Sequence, residues 1–491
     1  MKNLEKYFEQ FREQTIGDEH EFDSPYGMQK IRYADWLASG RLYKPIETKI
    51  TEFLGPYVAN THTETNTTGT LMTKSYHYAH KFIKDHVNDG VNDVIITAGF
   101  GMTVVVNKLQ RILSLKGCGG QLERDCVKKE NRPVVFVTHM EHHSNHTSWY
   151  ETTAEVVMIA PDKDLLVDLD DLREKLESYK DRKFKIGAFT ACSNVTGVHT
   201  PYHKLAKIMH EFGGLCFVDF AANAPYEKID MHPADPMEKL DAIYFSPHKF
   251  LGGPGASGVL IFDSAIYNSP VPDNPGGGTV DWTNAWGKYK YVDDIEARED
   301  GGTPGFLQAM KSAYAIKLKD KMGVENMLAR EEELLKIAFP ILDEIPGISI
   351  LADNIRERLG VISFYHEKIH FNLIVKLLND RFGIQVRGGC ACAGTYGHFL
   401  LEVTYEKSQK ITDKINHGDL SEKPGWVRWS LHPTMKDEDV RYFGKALSLI
   451  VSNFEEWEKD YVYLNKKNEF AHKSEINNPI DEERIQDWFS L

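Results

Sequence analysis

No window of the sequence approaches the ~18 consecutive apolar residues that a membrane span requires, so the chain is not expected to enter a bilayer. Cysteine is scarce, with six residues in 491 and no dense framework. That excludes a disulfide-stapled scaffold and fits a reducing compartment. Positive charge is also short: 58 lysines and arginines stand against 72 aspartates and glutamates, a formal net charge of -14. Without a concentrated basic stripe, nucleic acid and anionic membrane are poor partners. The opening residues MKNLEKYFEQFREQ carry charges every few positions and no apolar stretch, unlike a secretory signal. The expected location is therefore cytoplasmic. What remains is an ordinary soluble composition, 42% apolar and 26% charged, in a chain long enough for two or three domains.

From about residue 92 short apolar runs set the rhythm: Val94–Thr97, Val134–Thr138, Val156–Ala160, Ile186–Ala191, Cys216–Asp219, Ala242–Phe245 and Val259–Phe262. Most are unbroken rather than alternating, as strands buried on both faces should be. Helical spacing appears between several of them, at Thr103–Leu113, Leu165–Leu176 and Tyr202–Phe212. The pattern predicts an α/β domain with a largely parallel sheet. The last two runs are too close for a crossover helix, so one antiparallel strand is expected. Residues 1–60 read as an N-terminal segment that joins the small domain and lines the site, 61–340 as the large domain, and 341–491 as a smaller α+β domain with a polar tail. A Gly/Pro-rich connection over 263–305, with PGGGTV (275–280) and EDGGTPG (299–305), is long enough to suggest a functional loop.

Open α/β sheets bind ligands at the carboxyl ends of their strands, so the residues after each run form a site inventory. TAGFGMTVVVN (97–107) offers the backbone N–H groups of Phe100 and Gly101 to a phosphate at a helix N-terminus. It is not a dinucleotide fingerprint, because Val104 stands at the third glycine place. THMEHHSNH (138–146) has histidine spacings that could ligate zinc, but no H-E-x-x-H and nothing that completes a ligand set. No metal is expected there; His142 reads better as an imidazole stacked on an aromatic cofactor. ACSNVTG (191–197) supplies Asn194 as an amide donor. In CFVDFAAN (216–223), Asp219 either caps a helix or is a buried carboxylate that needs a cation such as a protonated pyridine. In AIYFSPHKFLGGPGASG (242–258), Ser246 and His248 suit a phosphate, and Lys249 is either a surface charge or a desolvated amine able to form a Schiff base. Together these residues describe a pyridoxal 5'-phosphate pocket.

The order of EHHSN (141–145), SNVTG (193–197), VDFA (218–221), SPHKFLGGPGASGVL (246–260) and GGTPG (301–305) resembles the class V aminotransferase superfamily of pyridoxal phosphate enzymes, in particular its cysteine desulfurase and selenocysteine lyase branch. The resemblance runs over about residues 31–450. It implies the fold type I of these transferases, with a mostly parallel seven-stranded sheet in a large domain beside a smaller α+β domain. Lys249 would be the Schiff-base lysine, Asp219 the partner of the pyridine nitrogen, His142 the stacking ring and Asn194 a neighbour of the phenolic oxygen. Phe100, Gly101, Ser246 and His248 would hold the phosphate. Thr303 would reach the phosphate from the other subunit of a homodimer with shared active sites, with Thr279 a second candidate. One departure is Ala222, where the family often has Gln or His, which moves that hydrogen bond to Asn223 or Asn194 or removes it.

GIQVRGGCACAG (383–394) resembles the loop whose cysteine attacks the substrate's sulfur in desulfurases, and Cys392 matches that position by its spacing from Arg387. A thiol beside an arginine is expected to ionise more readily. Arg428, in WVRWSLHPT (426–434), matches the residue that grips the substrate carboxylate. Three readings follow. The favoured one is removal of sulfur or selenium from a cysteine-type amino acid, with alanine released, a persulfide on Cys392 and a sulfur-acceptor protein as partner. In the second, a class V aminotransferase, lyase or epimerase acts on another amino acid, the cysteines are bystanders and the 396–423 insertion reshapes the pocket. In the third, Cys390, Cys392 and His398 supply three ligands of a zinc site that lacks a fourth.

Overall fold

The seven apolar runs become one sheet in the computed structural model, which describes residues 3–116, 127–476 and 480–490. Its strands are β1 (Asp93–Ala98), β2 (Val134–Thr138), β3 (Glu155–Ile159), β4 (Lys185–Thr190), β5 (Leu215–Asp219), β6 (Ala242–Phe245) and β7 (Gly258–Asp263). Their spatial order is β1-β7-β6-β5-β4-β2-β3. The run from β6 to β3 is parallel throughout. Only β7 is reversed, pairing antiparallel with both β6 and β1. The link from Phe245 to Gly258 leaves no room for the crossover that a parallel pair needs. Strands β2, β4 and β6 are buried at every position, which explains why their sequences do not alternate.

The chain divides into two compact units. The larger comprises Gln14–Ile16 and Leu37–Leu328 and contains the seven-stranded sheet; the smaller takes the residues up to Glu13, Gly17–Trp36 and everything from Ala329 onward. The boundary expected near residue 340 therefore falls at 328–329. Helix Val324–Asp343 is continuous, but its Leu334, Ala338 and Leu342 are buried in the smaller unit's core, so the apolar stripe of its later turns decides its allegiance. Residues 37–60, expected with the N-terminal segment, go with the sheet.

The smaller unit is built on an antiparallel sheet of Ile348–Ile350, Val361–His366, Trp426–Ser430 and Arg387–Gly389. Its core includes Trp429 stacked on Phe443, ring centroids 3.8 Å apart. Arg32–Tyr33 pairs in parallel with Ile384–Gln385, tying the N-terminal segment to this unit. The 396–423 insertion is largely helical, with helices Gly394–Leu400 and Tyr405–Asn416. The segment expected as a polar tail contains a hairpin, Tyr461–Leu464 with Glu469–His472. Its aromatic and β-branched residues favour a strand, and Asn468 takes the left-handed turn conformation at φ 57°.

The Gly/Pro-rich connection is likewise structured, with a hairpin (Val280–Thr283, Tyr289–Tyr291) and a helix Ile295–Glu299. A buried charge network fixes it to helix Met102–Ile112. Lys108 Nζ lies 2.7 Å from Glu299 and 3.4 Å from Asp273, and Arg111 reaches Asp273 at 2.5 and 2.9 Å. Tyr267 donates to Glu299 at 2.7 Å. Lys108 and Glu299 are almost wholly buried, so each needs the other. Glu299→Ala should cost about 3 kcal/mol or more, because it strands a buried ammonium; a urea titration showing less than about 1 kcal/mol would mean that Asp273 alone suffices.

Candidate active site

The backbone around Lys249 is clamped. Pro247–Lys249 form one 3-10 turn, with Lys249 N–H donating to Ser246 O and Phe250 N–H to Pro247 O, both at 3.0 Å. Across it lies the small-residue corner Ala38–Ser39–Gly40. Gly40 N–H donates to His248 O at 2.9 Å, and Gly252 N–H donates to Arg41 O at 2.7 Å. A Cβ on Gly40 would sit 1.9 Å from Phe250 O, and one on Gly253 would sit 1.8 Å from Pro247 O. Neither position admits a side chain, so the glycines let two backbones close around the lysine turn.

Beside it the β1 turn forms a cradle. Gly101 caps helix Met102–Ile112 with no side-chain hydrogen bond, leaving the positive end of the helix open. Met102 N–H donates to the buried Ser246 Oγ at 2.9 Å. A Cβ on Gly101 would lie 3.2 Å from Ser246 Oγ and 3.6 Å from His248 Nε2, so these three groups share one small space. Burial, helped by the Lys249 charge, lowers the His248 pKa to about 4 and keeps its imidazole neutral. Phe100 is 72% exposed; what it offers is its backbone.

Asp219 ends β5, buried, with Ala221 N–H donating to its Oδ1 at 2.8 Å. Burial pushes its pKa up to about 6, with the Ala221 N–H and the Lys249 charge opposing. Carboxylate and lysine are therefore in electrostatic reach of each other. His142 caps helix His143–Tyr150, its Nδ1 accepting from Ser144 N–H at 3.1 Å, so the neutral ring carries its proton on Nε2. Asn194 is buried in the loop after β4. That loop is shaped by Ser193 Oγ, which accepts from Val195 and Thr196 N–H groups. Asn223 donates an amide N–H to Glu227 at 2.6 Å. Two of the other histidines of 138–146 have separate partners: His139 bonds Leu165 O and His146 bonds Tyr150. Among the described residues no three His, Cys, Asp or Glu side chains form a metal-holding group.

The two glycine-rich stretches meet, Gly302 N–H donating to Gly277 O at 2.9 Å. Within this cluster Thr279 is buried and its hydroxyl donates to Gly276 O at 2.7 Å. Thr303 faces solvent. Of the two threonines, only Thr303 presents itself outward.

The cysteine loop and Arg428 belong to the smaller unit. Strand Arg387–Gly389 pairs with Trp426–Ser430 so that Arg387 stands opposite Arg428. Asp35 joins the two arginines, accepting from Arg428 Nη2 at 2.8 Å and Arg387 Nε at 3.0 Å. One carboxylate between two guanidiniums leaves a net positive charge. Beyond the strand Ala391 (φ 49°) and Cys392 (φ 57°) are both left-handed, and Ala393 N–H closes the turn on Cys390 O at 3.0 Å. Two consecutive left-handed residues mark a type I′ turn, which here lacks glycine and costs about 1 kcal/mol or more per residue. Cys392 is exposed on it and Cys390 partly buried. His398 uses both ring nitrogens, on Gly394 O and Ser408 Oγ.

A profile of the aminotransferase class-V family matches residues 32–443. The chain belongs to that family. A probable cysteine desulfurase of Halalkalibacterium halodurans is 27% identical over 367 residues, 74% of this chain and 84% of that protein. One from Staphylococcus epidermidis is 29% identical over 370 residues, with the same coverage of 74% and 84%. Among solved structures, the apo cysteine desulfurase of Thermococcus onnurineus NA1 has a TM-score of 0.69 at 22% identity, covering 86% of this chain and 95% of that one. The S-sulfonic acid form of the Escherichia coli cysteine desulfurase CsdA also has a TM-score of 0.69, at 20% identity, covering 90% and 98%. At those identities the structural likeness is one of fold, the fold type I architecture expected of the family.

Within the family motif EHHSN, two residues carry contacts that the sequence did not reveal. Glu141 is buried and accepts from Thr138 Oγ1 (2.6 Å), Thr138 N–H (3.3 Å), Thr190 N–H (2.9 Å) and Asn145 Nδ2 (2.7 Å). Asn145 Oδ1 in turn accepts from Tyr244 OH at 2.5 Å. Thr190 and Tyr244 flank Asp219 in register on the neighbouring strands. Glu141 thus binds the ends of β2, β4 and β6 around the carboxylate. Burial pushes its pKa up to about 8 against the pull of these donors.

Two outcomes are expected. Glu141→Ala should lose about 3 kcal/mol or more, since it leaves several buried donors without an acceptor; a denaturation midpoint within error of the parent protein would refute that. The second concerns pH. The folded pKa of Asp219, about 6, lies above its ordinary value of 3.8. Its favourable share of stability is therefore complete below that ordinary value and lost as pH rises through the folded one. In cofactor-free protein, Asp219→Asn should gain on the parent in thermal midpoint between about pH 4 and 7, then level off. A gap that narrows over that range would contradict the sign.

Proposed function

We propose that the chain is a pyridoxal 5'-phosphate-dependent cysteine desulfurase, acting as a cytoplasmic homodimer on L-cysteine or its selenium analogue. The residues present suit that cofactor. Gly101, Ser246 and His248 share a small space that a Cβ on Gly101 would crowd, 3.2 Å from Ser246 Oγ, which suits a phosphate seat. Asp219 is a buried carboxylate awaiting a cation, which a pyridinium would be, and Lys249 lies within its field. When bound, the cofactor supplies an electron sink for a carbanion at the substrate's Cα.

The chain's own residues do the rest. Lys249 anchors the cofactor and moves the substrate's α-proton, its backbone clamped so that the side chain alone travels. Asp219 would hold positive charge on the cofactor's ring nitrogen, His142 would cover the ring, and Asn194 would serve the phenolic oxygen. Thr303 would complete the phosphate seat of the partner subunit. The substrate carboxylate goes to Arg428, whose pairing with Asp35 leaves charge to spare because Arg387 shares the same carboxylate. Cys392 attacks the substrate's sulfur as thiolate; the C–S bond breaks, alanine leaves, and the sulfur stays as a Cys392 persulfide.

The observation that carries sulfur transfer, rather than another class V reaction, is the cysteine turn. An exposed thiol on a non-glycine turn with two left-handed residues is an expensive arrangement to keep without a use, and strain of this kind gathers at functional sites. Purified protein should release sulfide from L-cysteine in the presence of reductant. Cys392→Ala should lose that release by about a thousandfold or more, as expected for removing a nucleophile, while keeping the yellow chromophore. Lys249→Ala should lose the chromophore on dialysis. Full activity in Cys392→Ala, or no sulfide from any thiol amino acid, would leave the family membership intact but overturn the desulfurase reading.

A further inference from the structure

A cavity of about 540 Å³ lies within the smaller unit beside Cys390, a size usual for small-molecule sites. Three pieces of chain wall it. The first is the segment from Ile384 to Cys390 with the facing side of helix Phe371–Phe382. The second is the end of the insertion, through Leu420, Lys423 and Pro424; the third is the turn and second strand of the C-terminal hairpin, through Lys467, Asn468, Glu469 and Phe470. Insertion and hairpin are joined, Leu420 N–H donating to Asn465 O at 3.1 Å. The two segments without a role in the proposed cofactor site therefore build one pocket together.

Its lining is specific. Lys376 is committed to Asp380 and Glu475, at 3.1 and 2.8 Å. Lys423 and Lys467 form no ion pair among the described residues, and Glu469, also in the lining, forms none either. Side-chain amides of Asn372, Asn379 and Gln385 make up much of the polar wall. The amides are engaged within the protein, Gln385 Nε2 donating to Asn379 Oδ1 at 2.8 Å and Asn379 Nδ2 to Asp380 Oδ1 at 2.6 Å, so the lining offers two cations, one anion and one thiol. Its complement is a small molecule with two carboxylates, one ammonium and a thiol of its own.

Cys390 and Cys392 are two residues apart across the closed turn. Their Cα atoms are therefore within about 7 Å, the span over which two cysteine sulfurs can be brought together. Cys390 lines the cavity, whereas Cys392 does not. We infer that Cys390 relays sulfur from Cys392 to a small zwitterionic thiol held in this cavity by Lys423, Lys467 and Glu469. The inference rests on the desulfurase reading. In the first exchange the Cys390 thiolate attacks the outer sulfur of the Cys392 persulfide. A new S–S bond forms on Cys390, the old one breaks, and Cys392 leaves as thiolate. In the second, the ligand's thiolate attacks the outer sulfur on Cys390, departs as a persulfide and restores the Cys390 thiolate. Each attacking thiol gives its proton to solvent and each leaving thiolate takes one back, so no oxidant or reductant is consumed.

The test uses the holoenzyme with L-cysteine, reduced glutathione as the zwitterionic thiol, and 2-mercaptoethanol as an uncharged one. After one turnover, fragment-ion mass spectrometry of the peptide 388–407 should find sulfur on both Cys392 and Cys390 in the parent protein, and on Cys392 alone in Cys390→Ser. That variant should turn over with glutathione about tenfold more slowly or worse. Lys423→Glu with Lys467→Glu should raise the KM for glutathione about tenfold relative to that for 2-mercaptoethanol, and should weaken binding of S-methylglutathione, which cannot exchange, by a similar factor. The inference is overturned if Cys390→Ser serves glutathione at the parent rate, or if the lysine pair leaves both KM and binding unmoved. A sulfur label that reaches Cys392 but never Cys390 also sinks it while sparing the desulfurase reading, and points to an acceptor protein that meets Cys392 directly. Absence of label from Cys392 sinks both.

Discussion

The peptide backbone on either side of Lys249 has almost no freedom, and the arrangement of the larger unit can be read as the means of achieving that. In the proposed function the Lys249 amine travels while its backbone does not, since small misplacements in a reacting group are costly. Here the turn is held from below by its own hydrogen bonds and from the side by Gly40 and Gly252. A Cβ on Gly40 or on Gly253 would strike the backbone of the turn itself, at Phe250 O or Pro247 O. The reversed strand β7 belongs to the same device. By returning directly after the turn and pairing with β1, it brings the Gly101 cradle and the lysine to neighbouring strand ends.

Around that fixed point burial is the largest influence on the titratable groups. Asp219 has one backbone donor and a lysine nearby, too little to suit a carboxylate so deep in the protein. His248 is kept neutral by the same lysine and the same burial. Both groups are uncomfortable alone and would be relieved by a ligand with a positive ring and a negative phosphate. The Glu141 network supplies the rigidity that lets this discomfort persist, because it fastens the strand ends on both sides of Asp219.

The central sheet was legible in the sequence because its strands are buried on both faces and so appear as unbroken apolar runs. The residues after those runs were legible because a sheet delivers its strand ends to one edge. Other features left fainter marks. The hairpins at Val280–Tyr291 and Tyr461–His472 are short and half exposed, and polar positions on their outer faces hid the alternation. The division of the chain at 328–329 falls inside one continuous helix, a property of packing that no local pattern carries. Asp35 could not be found at all as a partner of Arg428, since nothing in the sequence relates residues so far apart until Arg32–Tyr33 pairs with Ile384–Gln385. The roles of Glu141 and Asn145 were hidden for the same reason: their contacts run between strands, not along them.

That pairing of Arg32–Tyr33 with Ile384–Gln385 bears on how the protein is made. The smaller unit is assembled from both ends of the chain, while nearly all of the larger one lies between them. During synthesis Arg32–Tyr33 leaves the ribosome more than three hundred residues before its sheet partner Ile384–Gln385. The larger unit, whose strands follow one another closely, can form in that interval, since domains generally fold as units as the chain emerges. The smaller unit cannot. Maturation is therefore ordered, with the lysine turn set before the cysteine turn.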